Sequence, residues 1–260
     1  MRPTKLRTIF VALASVVMLY AGCKKSSTNT SGPALAPQDV ASQVALNISQ
    51  SLFGGLGFDL SGGLNSPTSF ALRSNSKGKV LQSLTNPDCG LTVDTTLTYT
   101  GAANGGSATI AGTIKFTFSC TNDVVSGFTT NDNLNISLSS PGLTFMYKVA
   151  ENLTMLTINP SNPNSNLSLN GTLNSNLTYT MSTGTKGNGT EVFNYVLKSL
   201  VVDSNSGSVI SGSATFTTSG TGPKGVWNYT GSIVFLANDM ASVTIAGKVY
   251  TVNLQTGVVS

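Results

Sequence analysis

Histidine is absent from this chain of 260 residues, and charge is scarce, with 9% of residues being Asp, Glu, Lys or Arg. Without an imidazole, Ser-His-Asp and Cys-His nucleophilic machinery is excluded, and so are the usual zinc sites. Glutamate occurs only as Glu151 and Glu191, beside eight aspartates. Hydrolysis by a carboxylate pair needs two acids roughly 5 to 10 Å apart across a sugar-binding cleft, and nothing in the spacing singles out such a pair. Trp227 is the only tryptophan. A sugar-stacking cleft would therefore rest on Tyr99, Tyr147, Tyr179, Tyr195, Tyr229 and Tyr250, residues that more often pack across strands. No basic stripe with interleaved aromatics marks a nucleic-acid partner. The reading is of a non-enzymatic protein without a cofactor.

What is present begins with the N-terminus. A basic start (Arg2, Lys5, Arg7) is followed by the apolar run from Ile9 to Tyr20 and then by Ala21-Gly22-Cys23, the layout of an export signal. The run is too short to span a bilayer permanently. Small residues before a cysteine fit a peptidase groove, and Leu19-Tyr20-Ala21-Gly22-Cys23 resembles the lipobox of bacterial lipoproteins. That pattern prefers an aliphatic residue three before the cysteine, where this chain has Tyr20. The resemblance implies that residues 1–22 are removed and that Cys23 carries acyl chains such as palmitate, which bind the bilayer at ~0.8 kcal/mol per buried methylene. It also implies a place in the cell envelope. Lys24, where an inner-membrane lipoprotein of enteric type has Asp, points to the outer membrane.

Removal of the signal takes three of the 14 basic residues, which leaves 11 against 10 acids. The basic balance of the full chain thus belongs mostly to the leader. Lys24 and Lys25 remain beside the lipid, where each favours anionic headgroups by ~1 kcal/mol. Two further cysteines, Cys89 and Cys120, form an even remainder in an exported chain and predict one disulfide.

Residues 23–36 are short and polar with Gly and Pro, and read as a flexible tether. A single domain is expected over 37–260. Pro37 suits a first helical turn, Val40, Val44, Ile48 and Leu52 recur at four-residue spacing, and Gly54-Gly55 stops the pattern, so a helix is predicted over 37–53. Its polar face has Gln, Ser and Asn rather than Lys and Arg, which favours packing on the domain's own sheet over a membrane contact. Residues 56–88 show no sustained period and read as irregular structure or short strands.

From Leu91 onward the period is two. Twelve runs follow one another: 91–99, 110–118, 134–138, 143–149, 153–158, 167–173, 177–181, 192–202, 209–217, 226–236, 241–246 and 248–254. The fold class is therefore mainly β, an antiparallel meander of about a dozen strands with the helix packed on it. A dozen strands at ~4.8 Å spacing would be nearly 60 Å wide, against a helix only ~25 Å long. The sheet must bury its own apolar face by curling into a barrel or half-barrel, or by folding into a sandwich. The runs 192–202 and 226–236 are apolar on both faces and read as central, doubly covered strands. Recurrent glycines (Gly112, Gly171, Gly212, Gly231, Gly247) read as bulges or as places without room for a side chain.

Two segments have oxygen ligands at alternate positions. Asp203-Ser204-Asn205-Ser206-Gly207 looks like the first half of a calcium loop, but lacks downstream acids, and a hairpin turn explains it better. Asn131-Asp132-Asn133 is read in the same way, as a turn.

Three functions follow as expectations. The first is a structural or binding lipoprotein of the envelope. The second is a carrier of lipid or another apolar ligand, because a curled sheet with a helix at its mouth looks like the lipoprotein-carrier half-barrels of bacterial envelopes in architecture alone. The third is a glycan-binding or glycan-active surface protein, which requires an aromatic-lined cleft.

Overall fold

The computed structural model describes residues 33–53, 89–103, 105–162, 165–183, 186–204 and 208–260. The leader, Cys23 and most of the tether, together with the irregular segment 56–88, lie outside the described residues.

Helix α1 (Pro37–Phe53) has the predicted bounds. The carbonyl of Ala36 accepts hydrogen bonds from the amides of Asp39 and Val40, and Asp39 places an acid in the first turn, where the helix dipole favours it. Val40, Ala41, Val44, Ala45, Ile48 and Leu52 are fully buried.

Ten strands follow: β1 (Thr92–Ala103), β2 (Gly106–Thr121), β3 (Val124–Ser140), β4 (Leu143–Thr157), β5 (Leu167–Met181), β6 (Gly187–Val202), β7 (Val209–Gly222), β8 (Gly225–Leu236), β9 (Met240–Ile245) and β10 (Lys248–Asn253). They form one sheet in chain order, every neighbour antiparallel. Tight hairpins explain the meander. Asn122-Asp123 and Ala246-Gly247 take the positive φ that two-residue hairpin turns require, and Pro141-Gly142 joins β3 to β4 with φ +86° at the glycine.

The sheet curls around the helix. Ten flat strands would span about 43 Å, yet α1 and its flanks reach β4, β5, β6, β8 and the turn after β10 through side-chain hydrogen bonds. Inward residues from Leu97 on β1 to Val252 on β10 are buried. β1 does not pair with β10, so the sheet is not closed into a barrel, and being a single sheet it is no sandwich. Glycine supplies room at the tightest points: a Cβ on Gly171 would run into the carbonyl of Asn152 on β4, and its φ is +138°. The Cys89–Cys120 disulfide, with Cα atoms 5.5 Å apart, fastens the residues before β1 to the end of β2.

Two corrections to the sequence reading have a local cause. The twelve runs are ten strands, because 143–149 and 153–158 are both β4, and 167–173 and 177–181 are both β5. Nor are β6 and β8 covered on both faces, since Val196, Val234 and Leu236 are exposed. In β6 the apolar character of both faces comes from a bulge. Phe193, Tyr195 and Leu197 point inward, then Ser199 takes φ +48° and donates its amide to Asn170 Oδ1 at 2.7 Å, after which Leu200 and Val202 point inward instead. One extra residue switches the parity of the strand.

Candidate functional site

The inner face is apolar except for a band of buried polar groups beneath α1. Register places Ile114, Asp132, Glu151, Leu173, Tyr195 and Phe216 side by side across β2 to β7. Four residues further along the strands, Ile136, Tyr147, Leu177, Glu191, Gly220 and Trp227 form a parallel row across β3 to β8. Asp132 and Glu151 are direct cross-strand partners, and Asp132, Glu151 and Glu191 are 5%, 3% and 1% exposed.

Two carboxyls side by side in an apolar interior cannot both ionise cheaply. Burial pushes Asp132 up to about 6, against the opposing pull of the Thr130 hydroxyl and the Lys115 amide. That amide donates to Asp132 Oδ1 at 3.3 Å. Glu151 is pushed up to about 8, first by burial and then by the charge of Asp132. Neither Glu151 oxygen has a hydrogen-bond partner among the described residues. Near neutral pH the pair therefore holds about one proton between its two carboxyls.

The other half of the band binds the helix. The single Tyr195 Oη proton is shared between the Val44 carbonyl and Asn47 Oδ1, each 3.1 Å away. Ser175 Oγ donates to the same Asn47 oxygen at 3.3 Å, and Ser51 and Tyr147 share a hydrogen bond of 3.2 Å. Both phenols are buried, and burial raises their pKa values, so they remain neutral. At the helix N-terminal end, a cavity of about 10 Å³ lies among Gln43, Tyr179, Glu191, Gly222 and Trp227. It is of the size that holds one water molecule.

No family model, no curated protein and no solved structure matches this chain. Its chemistry is therefore read from its own residues. Among the described residues no three His, Cys, Asp or Glu side chains form a group that could hold a metal ion. Asp203 lies after β6, where its amide donates to the Ser208 carbonyl; Asn205 lies outside the described residues. Asn131-Asp132-Asn133 is no turn but the middle of β3, with Asn131 and Asn133 exposed and Asp132 buried. The carboxylates that sequence reading left unpaired are brought together as Asp132 and Glu151. Of the aromatic residues named for a sugar-stacking cleft, Trp227, Tyr147, Tyr179 and Tyr195 are buried and Tyr99, Tyr229 and Tyr250 are half-buried; Trp227 Nε1 donates to Thr218 Oγ1 within the core.

The band could have been found from one signal. A run of period two interrupted by a single polar inward residue, such as Glu151 or Ser175, continues in phase beyond it. A real turn would break the phase.

The outer face has the opposite character. Thr96, Thr113, Asn133, Ala150, Asn174, Asn194, Thr217 and Thr230 form one continuous row across eight strands. The next row has Thr98, Ala111, Asn135, Lys148, Asn176, Val192, Ser219 and Asn228. An open groove of about 290 Å³ lies over β3, β4 and β5, where Met146, Leu138, Phe145 and Tyr179 line it together with hydroxyls such as those of Ser137 and Thr178. These hydroxyls and amides can donate and accept without carrying charge.

Proposed function

We propose that this protein is a non-enzymatic lipoprotein of the cell envelope, held on the outer membrane by acyl chains on Cys23, which works as a structural or binding element through its outer sheet face. The observation that supports this reading is the pair of outer rows running from β1 to β8, made mostly of Thr, Ser and Asn with Lys148 as their one charge. A face of that kind stays soluble while offering a dense array of hydrogen-bonding groups to an uncharged partner. No helix among the described residues is long and apolar enough to cross a membrane, so the tether would supply the attachment. The carrier reading is weaker, because α1 occupies the concave face and is fastened there by side-chain hydrogen bonds. The glycan reading is weaker, because Trp227, Tyr147 and Tyr195 are buried rather than set out for stacking.

The test is complementation. Cells lacking the protein are challenged with detergent or osmotic shock, and rescue is attempted with the wild type, with Cys23→Ser and with the outer-face variant Asn133→Lys/Asn174→Lys/Asn194→Lys. The reading expects rescue by the wild type alone. Full rescue by the triple variant, folded and present at the same level, would refute the role of the outer face.

A further inference from the structure

The two edges of the sheet differ. β10 is six residues long, begins with Lys248, and is covered by the chain's own C-terminal residues. Val259 bridges Val252, the Ser260 amide donates to the Thr251 carbonyl at 2.9 Å, and the Asn253 amide donates to the Val258 carbonyl at 2.9 Å. At the opposite edge β1 runs for 12 residues, TVDTTLTYTGAA, and β2 is its only strand neighbour among the described residues. It has no proline and no lysine, the residues that usually keep an edge from pairing, and Asp94 is its one charge. The inward side chains of this edge are also incompletely covered: Val93 and Tyr99 are half-buried, whereas Ile110, Ile114 and Phe116 on β2 are buried.

We propose that β1 is the docking edge for a second copy of this chain, the two β1 strands pairing antiparallel about a two-fold axis to join two curled sheets. The sequence of β1 is complementary to itself in this arrangement. With Leu97 opposite its symmetry mate, Thr95 faces Tyr99 and Val93 faces Gly101 on the inner side. On the outer side Thr96 faces Thr98, and Asp94 faces Thr100, so no like charges meet. Odd residues face odd residues, the inner faces of both copies are continuous, and the half-buried Val93 and Tyr99 gain cover. Isologous pairing of this kind closes after two copies, and the tail on β10 prevents growth at the other edge. The outer rows of the two copies would then form one broader surface, which raises avidity for a repetitive partner.

The test uses the full acylated chain in detergent, analysed by light scattering after gel filtration at tens of micromolar. The wild type is expected to be a dimer. The variant Thr96→Lys/Thr98→Lys places lysines opposite one another twice across the axis, and dimerisation should weaken by at least ~10-fold, since like charges directly opposite are destabilising. The variant Thr96→Glu/Thr98→Glu should likewise be monomeric, and mixing the two should restore a dimer that contains one copy of each. That recovery separates loss of pairing from loss of folding. A monomeric wild type, a dimer that persists in both charged variants, or a mixture that stays monomeric would each overturn the proposal.

Discussion

Replacement of Glu151 by glutamine should reverse sign with pH. Glu151 has an ordinary value of 4.5 and is held at about 8 in the fold. A carboxyl whose folded value is raised contributes stability that is fully present below its unfolded value and is lost as the pH rises through the folded value. Between pH 4.5 and 8 the folded protein keeps a proton that the unfolded chain releases, at ~1.4 kcal/mol per pH unit. The accumulated loss is about 5 kcal/mol by pH 8, and stability is flat above that. The neutral amide of Glu151→Gln carries no such term, but it adds donors to a site where neither Glu151 oxygen has a partner among the described residues, at ~1–3 kcal/mol. The variant should therefore be less stable than the wild type at pH 5 and more stable by ~2–4 kcal/mol at pH 8.5, with the curves crossing near pH 5.5 to 6.5. Urea unfolding of both proteins at several pH values between 5 and 9 measures this directly. Residual pH dependence in the variant below pH 6 belongs to Asp132, which is raised to about 6 in the same sense. Parallel curves, or wild-type stability that rises from pH 5 to pH 8, would refute the account of the buried pair.

Three further outcomes follow from the packing. Reduction of the Cys89–Cys120 bond, or Cys89→Ala/Cys120→Ala, should lower stability by ~3–4 kcal/mol, as expected for a sequence separation of 31, and chemical denaturation with and without reductant reads the loss. Tyr195→Phe removes the hydroxyl that donates to the Val44 carbonyl and Asn47 on α1 and should cost ~1–3 kcal/mol; amide exchange should show α1 loosening before the sheet does. Gly171→Ala forces a Cβ against the Asn152 carbonyl at a φ of +138°, and should cost ~2–3 kcal/mol in thermal or urea melts, whereas alanine at the outward, exposed Thr172 should cost less than ~1 kcal/mol.

Most of the fold can be read from hydrophobic period alone. The i, i+4 spacing of Val40, Val44, Ile48 and Leu52 gives the helix, and the period of two from Leu91 gives an antiparallel sheet that must curl, because one helix cannot cover it. The parity of two further cysteines gives the disulfide. Where the reading fails, it fails at inward polar residues. Glu151 and Ser175 split β4 and β5 into two runs each, and Asp132 made the centre of β3 look like a turn. These are members of the buried band, where local pattern gives way to a tertiary arrangement. Val196 and Val234 misled for a different reason: single exposed apolar residues are ordinary on a protein surface, and the bulge at Ser199 shifts the phase of β6 in a way that composition does not announce. The association of Asp132 with Glu151, 19 positions apart in the chain, depends on strand register, which a single sequence does not encode visibly.

The attachment of the protein is tested most directly by growing cells with an alkyne analogue of palmitate and isolating the wild type and Cys23→Ser. The account predicts that the wild type is labelled, partitions into detergent and has lost residues 1–22, while the serine variant is unlabelled and keeps its leader. An unlabelled wild type, or a Cys23→Ser protein identical to it in mass and partitioning, would contradict the lipid tether and with it the proposed place in the envelope.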